Sequence, residues 1–301
     1  MDTIKLRPEC ISCIVNKQIE KYPASASMKD KIDYMKRVLQ IIADAPMGMS
    51  APEIVNIIYG IQREMFGIET DYTEIKRYFN DLMLKTEPFM RNEIQKSDNP
   101  FKRAVQFAMT GNYIDFSAIE NVDEKELNRL LAASDKNPVD DAELMSMHQD
   151  ILRSKRIVYL TDNCGEIVTD KLLLSIIQDM NPSVQLTAVV RGGNVVNDAT
   201  MDDAEQVGLT DITTVIGNGS NIAGTCLDKI SYDARVAIDN ADMIISKGQG
   251  NYETLHQCGK NIYYIFMCKC RMFTERFRVP LYQGILINDR TTIFGIFESS
   301  K

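Results

Sequence analysis

Asp162 and Asn163 stand side by side in the stretch 156–170, RIVYLTDNCGEIVTD. Ile157 to Leu160 read as a buried strand that stops in a polar turn and restarts as a helix, the arrangement open α/β proteins use for ligand sites. An acid and an amide at the carboxyl end of a strand, with a helix N-terminus behind them, suit a hard cation and a phosphate together. Ligands in doubly wound sheets bind beyond the carboxyl ends of several strands, so the polar residues after each apolar run join the same candidate site. They are Asp162, Asn163, Gly165 and Glu166 after the first run, and Arg191, Gly192, Gly193, Asn194, Asn197 and Asp198 after the second. Lys247, Gly248, Gln249, Gly250 and Asn251 follow the fourth, and Lys269, between Cys268 and Cys270, follows the fifth.

Asp162, Asn163 and Asp198 offer only oxygen, with no histidine nearby, which points to Mg²⁺, Mn²⁺ or a similar octahedral cation rather than zinc. Asp198 lies several residues past its strand, so a loop has to fold it back towards Asp162. The plain structural alternative is that these residues cap helices. Ser246 to Asn251, SKGQGN, is glycine-rich with a lysine and two amides, and reads either as an anion cradle or as a turn. It is not a P-loop, because GxxxxGK[ST] is absent. Gly217 to Gly224, GNGSNIAG, has Ile222 where a dinucleotide fingerprint needs its third glycine, so NAD is discounted. Cys10 and Cys13 form a CxxC and Cys268 and Cys270 a CxC, to be read as a thiolate metal or redox site or as buried thiols on an amphipathic helix. The CxC spacing is poor for zinc. His148 and His256 lack a Ser or Cys partner in sequence and read as surface or helix residues, leaving a Ser/His/Asp hydrolase unsupported.

The elements that must position these residues fall into two halves. Up to about residue 150 the apolar spacing is helical, with Cys10, Cys13 and Ile14 on one face from Glu9 to about Tyr22. Met28, Ile32, Met35, Leu39 and Ile42 form the expected stripe of a second helix, and Ile54, Ile57, Ile58, Ile61 and Met65 that of a third, opened by a capping box at Ser50 and Glu53. Tyr72 to Ile94 is expected to be helix interrupted near Pro88. Another helix runs from Pro100 to Thr110-Gly111-Asn112, followed by a turn-rich connection over 112–134 and a helix from Ala142 to Arg153. From Lys155 strand and helix alternate: strands at 157–160, 184–190, 212–216, 243–246 and 262–267, with helices such as 167–180, 199–207 and 252–258 between them. A hairpin or edge strand is expected in 283–297, around Asn288-Asp289-Arg290. The fold class is therefore α/β, an all-helical N-terminal domain (1–150) followed by a Rossmann-like three-layer α/β/α domain (151–301) with a mostly parallel sheet.

Composition narrows the partners. The chain of 301 residues is 45% hydrophobic, enough for a full core, and its net charge of −8 argues against nucleic-acid or anionic-membrane binding. No apolar stretch approaches membrane-spanning length and no secretion signal precedes the seven cysteines, so reduced thiols in a soluble cytoplasmic protein are expected.

In order and spacing, TDNCGE, RGGNVVNDAT and SKGQGNYE resemble the motifs of the DUF89 family of metal-dependent damage-control phosphatases. The N-terminal PECISC is similar to the CxxC of its microbial stand-alone subfamily, and GNYIDF at 111–116 extends the likeness over nearly the whole chain. The resemblance implies that Asp162, Asn163 and Asp198 hold a divalent metal (Mn²⁺, Mg²⁺, Co²⁺ or Ni²⁺), that Gln249 to Glu253 lie against the substrate, and that Lys269 sits near the phosphate. Cys164 stands where the family more often has a small residue such as alanine, and is either an oxidation-sensitive thiol or an inert small hydrophobe.

The expected activity is hydrolysis of a small phosphomonoester, a sugar phosphate or a damaged phosphometabolite. The cation neutralises phosphate charge and orients either a water or the Asp162 carboxylate for in-line attack. Lys247, Lys269 and Arg191 hold the remaining phosphate oxygens, and Glu166, Asn197, Gln249, Gly250 and Asn251 complete the substrate wall. Glu166 or Asp170 handles a proton or caps the helix. The alternatives are a non-catalytic metal- or nucleotide-binding module with the cysteines as a thiolate site, and a protein carboxyl methyltransferase.

Overall fold

The computed structural model describes residues 5–19, 21–68, 70–115 and 122–291. Its centre is a strand of five residues, β1 (Arg156–Leu160), four of them buried. On one side β1 pairs in parallel with β2 (Gln185–Val190), and β2 with β3 (Thr214–Gly217). On the other it pairs in parallel with β4 (Met243–Lys247), and β4 with β5 (Ile262–Met267). An antiparallel edge strand, β6 (Gly284–Asn288), closes the order β3-β2-β1-β4-β5-β6. Parallel strands in this order need helical crossovers, and the apolar runs supply both faces for them. The expected α/β class with a mostly parallel sheet is what the chain forms.

Chain direction across the sheet reverses beside β1, because β2 and β3 go one way and β4 and β5 the other. The crevice outside the carboxyl ends of β1 and β4 is therefore the topological switch point, where open sheets bind ligands. Leu160 is in register with Val189 and with Ser246, so Thr161, Val190 and Lys247 end their strands at one level.

Side-chain alternation divides the core. Ile157, Tyr159, Ala188, Val190, Met243, Ile245, Tyr263, Ile265 and Met267 face one way. They share a core with α4 (Thr73–Lys96), α5 (Pro100–Gly111), α6 (Glu124–Ala132), α7 (Asp141–Arg153), α8 (Glu166–Met180) and Ala204 of α9 (Met201–Gln206). Val158, Leu160, Val189, Ile244, Tyr264 and Phe266 face the other way, onto α10 (Tyr232–Asp239), α11 (Gln249–Leu255) and α12 (Arg271–Phe277). Each fully buried aliphatic in these layers contributes about 1.5–3 kcal/mol relative to exposure. The helices α4 to α7 share this core with the strands: α5 is buried at Phe101 and from Arg103 to Gly111 and packs on both α8 and β5. A separate, smaller cluster, Ile14, Tyr34, Val38, Ile54 and Ile58, holds α1 (Pro8–Gln18), α2 (Met28–Asp44) and α3 (Ala51–Phe66) together.

Several expectations are corrected. α4 runs unbroken through Pro88, although Leu84's carbonyl loses its backbone donor there. Burial of Met83, Met90 and Ile94 and the Glu87–Lys171 ion pair at 2.7 Å fix the helix on both sides of the proline. α2 turns a different face inward: Met28 (71% exposed), Ile32 and Leu39 face out, while Tyr34 and Val38 are buried. The aromatic wins because its ring packs edge-on with Tyr22 and Phe66 and its hydroxyl donates to Gln18 Oε1 at 2.6 Å. The connection over 112–134 contains α6, N-capped by Asp123, and α1 ends at Gln18, short of Tyr22. The tail provides the edge strand β6, and residues 292–297, the second half of that expectation, lie outside the described residues. No helix among the described residues is long and apolar enough to cross a membrane.

Candidate metal and phosphate site

The loop after β2 does fold back onto the turn after β1. Asn163 and Asp198 form an isolated antiparallel bridge, the Ala199 amide donates to the Asp162 carbonyl at 2.7 Å, and the Cys164 amide to the Asn197 carbonyl at 2.8 Å. These backbone bonds hold Asp162, Asn163 and Asp198 together, all three buried. Their side-chain bonds are incomplete in a consistent way. Asp162 Oδ2 accepts from Asn112 Nδ2 (3.1 Å) and Asn163 Nδ2 (2.7 Å), and Asp198 Oδ2 accepts from Arg191 Nε (2.6 Å). Asn163 Nδ2 also donates to Glu166 Oε2 (2.8 Å). Each of the three residues keeps one side-chain oxygen, Oδ1, that takes no hydrogen bond among the described residues. Arg191 Nη2 is buried without a hydrogen-bond partner, 3.6 Å from Asp162 Oδ1.

Behind this row lies a second layer of charge. Lys247 is 0% exposed, and its ammonium donates to Glu166 Oε1 (2.6 Å), Asp170 Oδ1 (2.6 Å) and the Ala108 carbonyl (2.9 Å). All three of its N–H donors are thereby used, so Lys247 is not placed to hold a phosphate oxygen as the sequence suggested. Glu166 is equally enclosed, accepting from Lys247, Asn112 and Asn163. Asp170 takes a second bond from the Tyr159 hydroxyl at 2.8 Å. Glu166 and Asp170 thus sit inside the protein, under the Asp162-Asn163 turn.

The remaining candidates fall around the rim. Asn251 Oδ1 accepts from Arg191 Nη1 (3.2 Å) and Thr225 Oγ1 (2.8 Å), while its Nδ2 donates to the carbonyls of Thr161 and Lys247. Gly248, at φ +78°, passes so close to Asp162 that a Cβ there would lie 2.0 Å from Oδ2, and a Cβ on Gly250 would meet the Ala223 carbonyl oxygen at 2.1 Å. Gln249 accepts from the Lys269 amide at 2.8 Å. Lys269 Nζ donates to Asp115 Oδ2 at 2.7 Å. Asn197 is turned away, its Nδ2 donating to the Ile114 carbonyl. Asn112, Asp115 and Thr225 belong to this neighbourhood and were not among the strand-end candidates. The first two end α5 in the helical half, where only the quoted GNYIDF motif gave a signal. Tyr59 of α3 is electrostatically linked to the site: burial, then Tyr72, then the Asp198 charge push its hydroxyl up to about 12.

The carboxylates are electrostatically uncomfortable as they stand. Burial, then the charges of Asp198 and Glu166, raise Asp162 well above the usual carboxylate range, with Lys269 acting in the opposite direction. Burial pushes Asp198 up to about 6 against the opposing pull of Arg191. A divalent cation held by Asp162, Asn163 and Asp198 would relieve that repulsion. Two carboxylates and an amide are also the modest oxygen set that Mg²⁺-like ions use, with waters and phosphate filling the other positions. The donor set fits such an ion, and no group of three or more His, Cys, Asp or Glu among the described residues forms a closed metal cage.

The cysteines and histidines separate the alternatives left open for them. Cys164 is fully buried, and burial raises its thiol far above the ordinary value, which makes it a small core residue. On α1, Cys10 is half-buried and Cys13 exposed, so the CxxC is not a pair of core thiols. His256 is at the C-cap of α11, with Nδ1 2.6 Å from Asp289 Oδ1 and Nε2 2.9 Å from Arg276. His148 packs edge-on against Phe101.

Comparison with known proteins is consistent with this geometry. The family model described as the damage-control phosphatase ARMT1-like domain matches residues 6–285. The chain is 31% identical over 276 residues to a damage-control phosphatase of Archaeoglobus fulgidus, covering 89% of this chain and 93% of that one. It is 28% identical over 290 residues to a damage-control phosphatase of Pyrococcus horikoshii, covering 94% and 97%. An uncharacterized protein of Methanocaldococcus jannaschii is 28% identical over 301 residues, covering 95% and 96%. The crystal structure of a DUF89 family protein from Pyrococcus horikoshii superimposes with a TM-score of 0.77 at 26% identity, covering 94% of this chain and 99% of that one. The family model and these whole-length matches lead to one conclusion: the chain belongs to the damage-control phosphatase ARMT1-like (DUF89) family.

Proposed function

We propose that the chain is a hydrolase of small phosphomonoesters that works with a divalent cation, Mn²⁺, Mg²⁺, Co²⁺ or Ni²⁺, held by Asp162, Asn163 and Asp198. The observation that carries this is the convergence of Asp162, Asn163 and Asp198 at the strand ends, with Arg191 Nη2 buried without a hydrogen-bond partner 3.6 Å from Asp162 Oδ1. When bound, the cation neutralises phosphate charge and acts as a Lewis acid. The side chains do the rest. Arg191 is held by Asp198, Asn251 and Thr225 so that Nη2 alone is left to take a phosphate oxygen. Lys269 adds positive charge from the opposite wall, oriented by Asp115. Asn112 and Glu166 fix Asn163 and the Oδ2 atom of Asp162, so their free oxygens are already aimed before substrate arrives. Gly248 and Gly250 let their turn pass close to Asp162 and to the Ala223 carbonyl, and Gln249 accepts from the Lys269 amide. Lys247 belongs in this scheme as the buried counter-charge of Glu166 and Asp170.

The test is a metal-by-substrate screen. Protein stripped with a chelator is given each of the four metals and assayed on sugar phosphates and phosphorylated cofactors. Turnover restored by metal and lost in Asp162→Ala is expected; full activity in the stripped protein or in that variant sinks the proposal. Inactivity of Arg191→Lys towards phosphate esters, with metal still bound by calorimetry, separates the phosphate role from the metal role.

A further inference from the structure

α4 meets the site through a buried polar face that the strand ends do not account for. Lys76 and Asn80 are four residues apart, one above the other on the helix, and both are buried, Asn80 at 0% exposure. Asn80 Oδ1 accepts from the Gly165 amide at 2.6 Å, two residues beyond Asn163. Asn80 Nδ2 donates to Asp203 Oδ1 at 2.9 Å and to Gln206 Oε1 at 2.8 Å, both on α9. Asp203 Oδ2 in turn accepts from the Thr200 amide and hydroxyl, each at 2.8 Å, and from the Lys76 ammonium at 2.7 Å. Thr200 is two residues beyond Asp198. The Asn80 side chain therefore grips the chain just after one candidate ligand and, through Asp203, the chain just after another. The contact leaves no slack: Gly165, at φ +67°, lies so close to α4 that a Cβ there would meet the Phe79 carbonyl oxygen at 3.2 Å and Ile114 Cδ1 at 2.8 Å.

Resting on the metal role proposed above for Asn163 and Asp198, we propose that Asn80 is a positioning residue: with Asp203 and Lys76 it clamps the turn after β1 to the start of α9 and so sets the spacing of those two ligands. Both N–H donors of the Asn80 amide and its carbonyl are used, so its orientation is fixed by three bonds to two segments. Asn163 and Asp198 themselves meet only through an isolated bridge. Asn80 touches neither of their side chains and acts through the backbone on which they stand. Hydrogen-bond partners outside a ligand set orient the ligands, and their loss costs about 10–100-fold in metal affinity. The Glu87–Lys171 pair is the internal contrast. It lies farther along the same helix, buried and equally short at 2.7 Å, but ties α4 to the body of α8 rather than to a ligand-bearing turn.

Mn²⁺ binding to chelator-stripped full-length protein is measured by calorimetry, with circular dichroism of each variant to separate affinity from misfolding. Asn80→Ala is expected to bind at least about tenfold more weakly than the parent. Asn80→Asp sets a carboxylate against Asp203 and is expected to lose as much; adding Asp203→Asn exchanges acid and amide, remakes the bonds and recovers the parental affinity. Glu87→Gln lowers the urea midpoint and leaves the affinity unchanged. Parental affinity in folded Asn80→Ala, no recovery in the folded double variant, or an equal loss in Glu87→Gln overturns the clamp. Should Asn80→Ala not fold, the double variant decides. A second measurement needs no metal: in the stripped protein, Asn80→Ala is expected to speed deuterium exchange at the Gly165 and Thr200 amides together, at least about tenfold, with Leu173 of α8 unchanged. Acceleration confined to Gly165 breaks the link to the Asp198 side. A parent that binds no Mn²⁺ but shows the paired acceleration removes the proposed function and keeps the clamp, whereas a parent that binds Mn²⁺ with the two amides unlinked keeps the function and removes the clamp.

Discussion

At the scale of single residues, depth below the surface decides role more than residue type does. Lys247 and Lys269 are both lysines at strand ends, and the sequence gives each of them a phosphate. Lys247 instead spends every donor inside the protein, between two enclosed carboxylates. Removing a buried cation while leaving its carboxylates costs on the order of 3–5 kcal/mol. Lys247→Met is therefore expected to lower the urea midpoint by a corresponding amount, and a variant of wild-type stability with a weakened affinity for phosphate would return the lysine to the substrate. Glu253 gives a pH-dependent counterpart. Burial raises its folded-state pKa to about 7, against about 4.3 for an ordinary glutamate. Above pH 7 both states are ionised and the folded state carries the whole cost of a buried anion; as pH falls from 7 towards 4.3 the folded state takes up the proton first and the cost fades. Glu253→Gln is thus expected to be more stable than the parent at pH 8, with the advantage shrinking towards pH 5, as read from urea melts across that range; a constant difference would contradict it. Position along the chain was legible for Asp162, Asn163, Asp198 and Arg191, because polar residues at strand ends of a parallel sheet converge whatever the rest of the fold does. Asn112 and Asp115 were not legible by that rule, since they close a helix from the other half of the chain and only folding brings them to Asp162 and Lys269.

At the scale of elements, the site is built from turns whose backbone leaves no slack. β4 ends at Lys247, and Gly248 must adopt φ +78° for α11 to start while its Cα passes Asp162. Any side chain there meets the carboxylate, and left-handed backbone costs a non-glycine residue about 1–2 kcal/mol besides. Gly248→Ala is expected to stay folded with a small loss of stability and to lose at least about tenfold in metal-dependent turnover, because the Cβ displaces Asp162. Wild-type kcat with unchanged metal affinity would show that Asp162 tolerates the shift. The same scale explains which element readings failed. α2 carries apolar residues around much of its circumference, so spacing alone could not choose between the Met28-Ile32-Leu39 stripe and the Tyr34-Val38 stripe. The choice was made by tertiary partners, Gln18 and Phe66. Pro88 was read by its local cost, which the packing and the Glu87–Lys171 pair outweigh. Strands were read closely because buried parallel strands are short, continuous apolar runs with little local ambiguity.

At the scale of the whole molecule, the chain divides its core unevenly. The sheet and α4 to α8 share one large cluster and the opposite layer a second, whereas α1 to α3 rest on five fully buried residues of their own. That small unit touches the rest through α3 on α11 and α1 on α12. Its polar ties include the Lys229–Glu53 pair at 2.8 Å and Lys5 Nζ donating to the Thr254 carbonyl at 2.7 Å. The pair is partly exposed, so it contributes at most about 1 kcal/mol. Regions with few buried contacts and exposed ties open at lower free energy than the core. Amides of α2 and α3 are therefore expected to exchange with deuterium through an opening well below the global unfolding free energy, while β1, β4 and β5 exchange only through global unfolding. The Asp198 charge acts on the Tyr59 hydroxyl of α3, which couples that unit electrostatically to the site. Binding of Mn²⁺ with inorganic phosphate should then slow exchange in α3 more than in α7, which carries none of the candidate site residues. Equal slowing in both helices would mean that the ligands stabilise the molecule as one body, and no slowing in either would separate α3 from the site altogether.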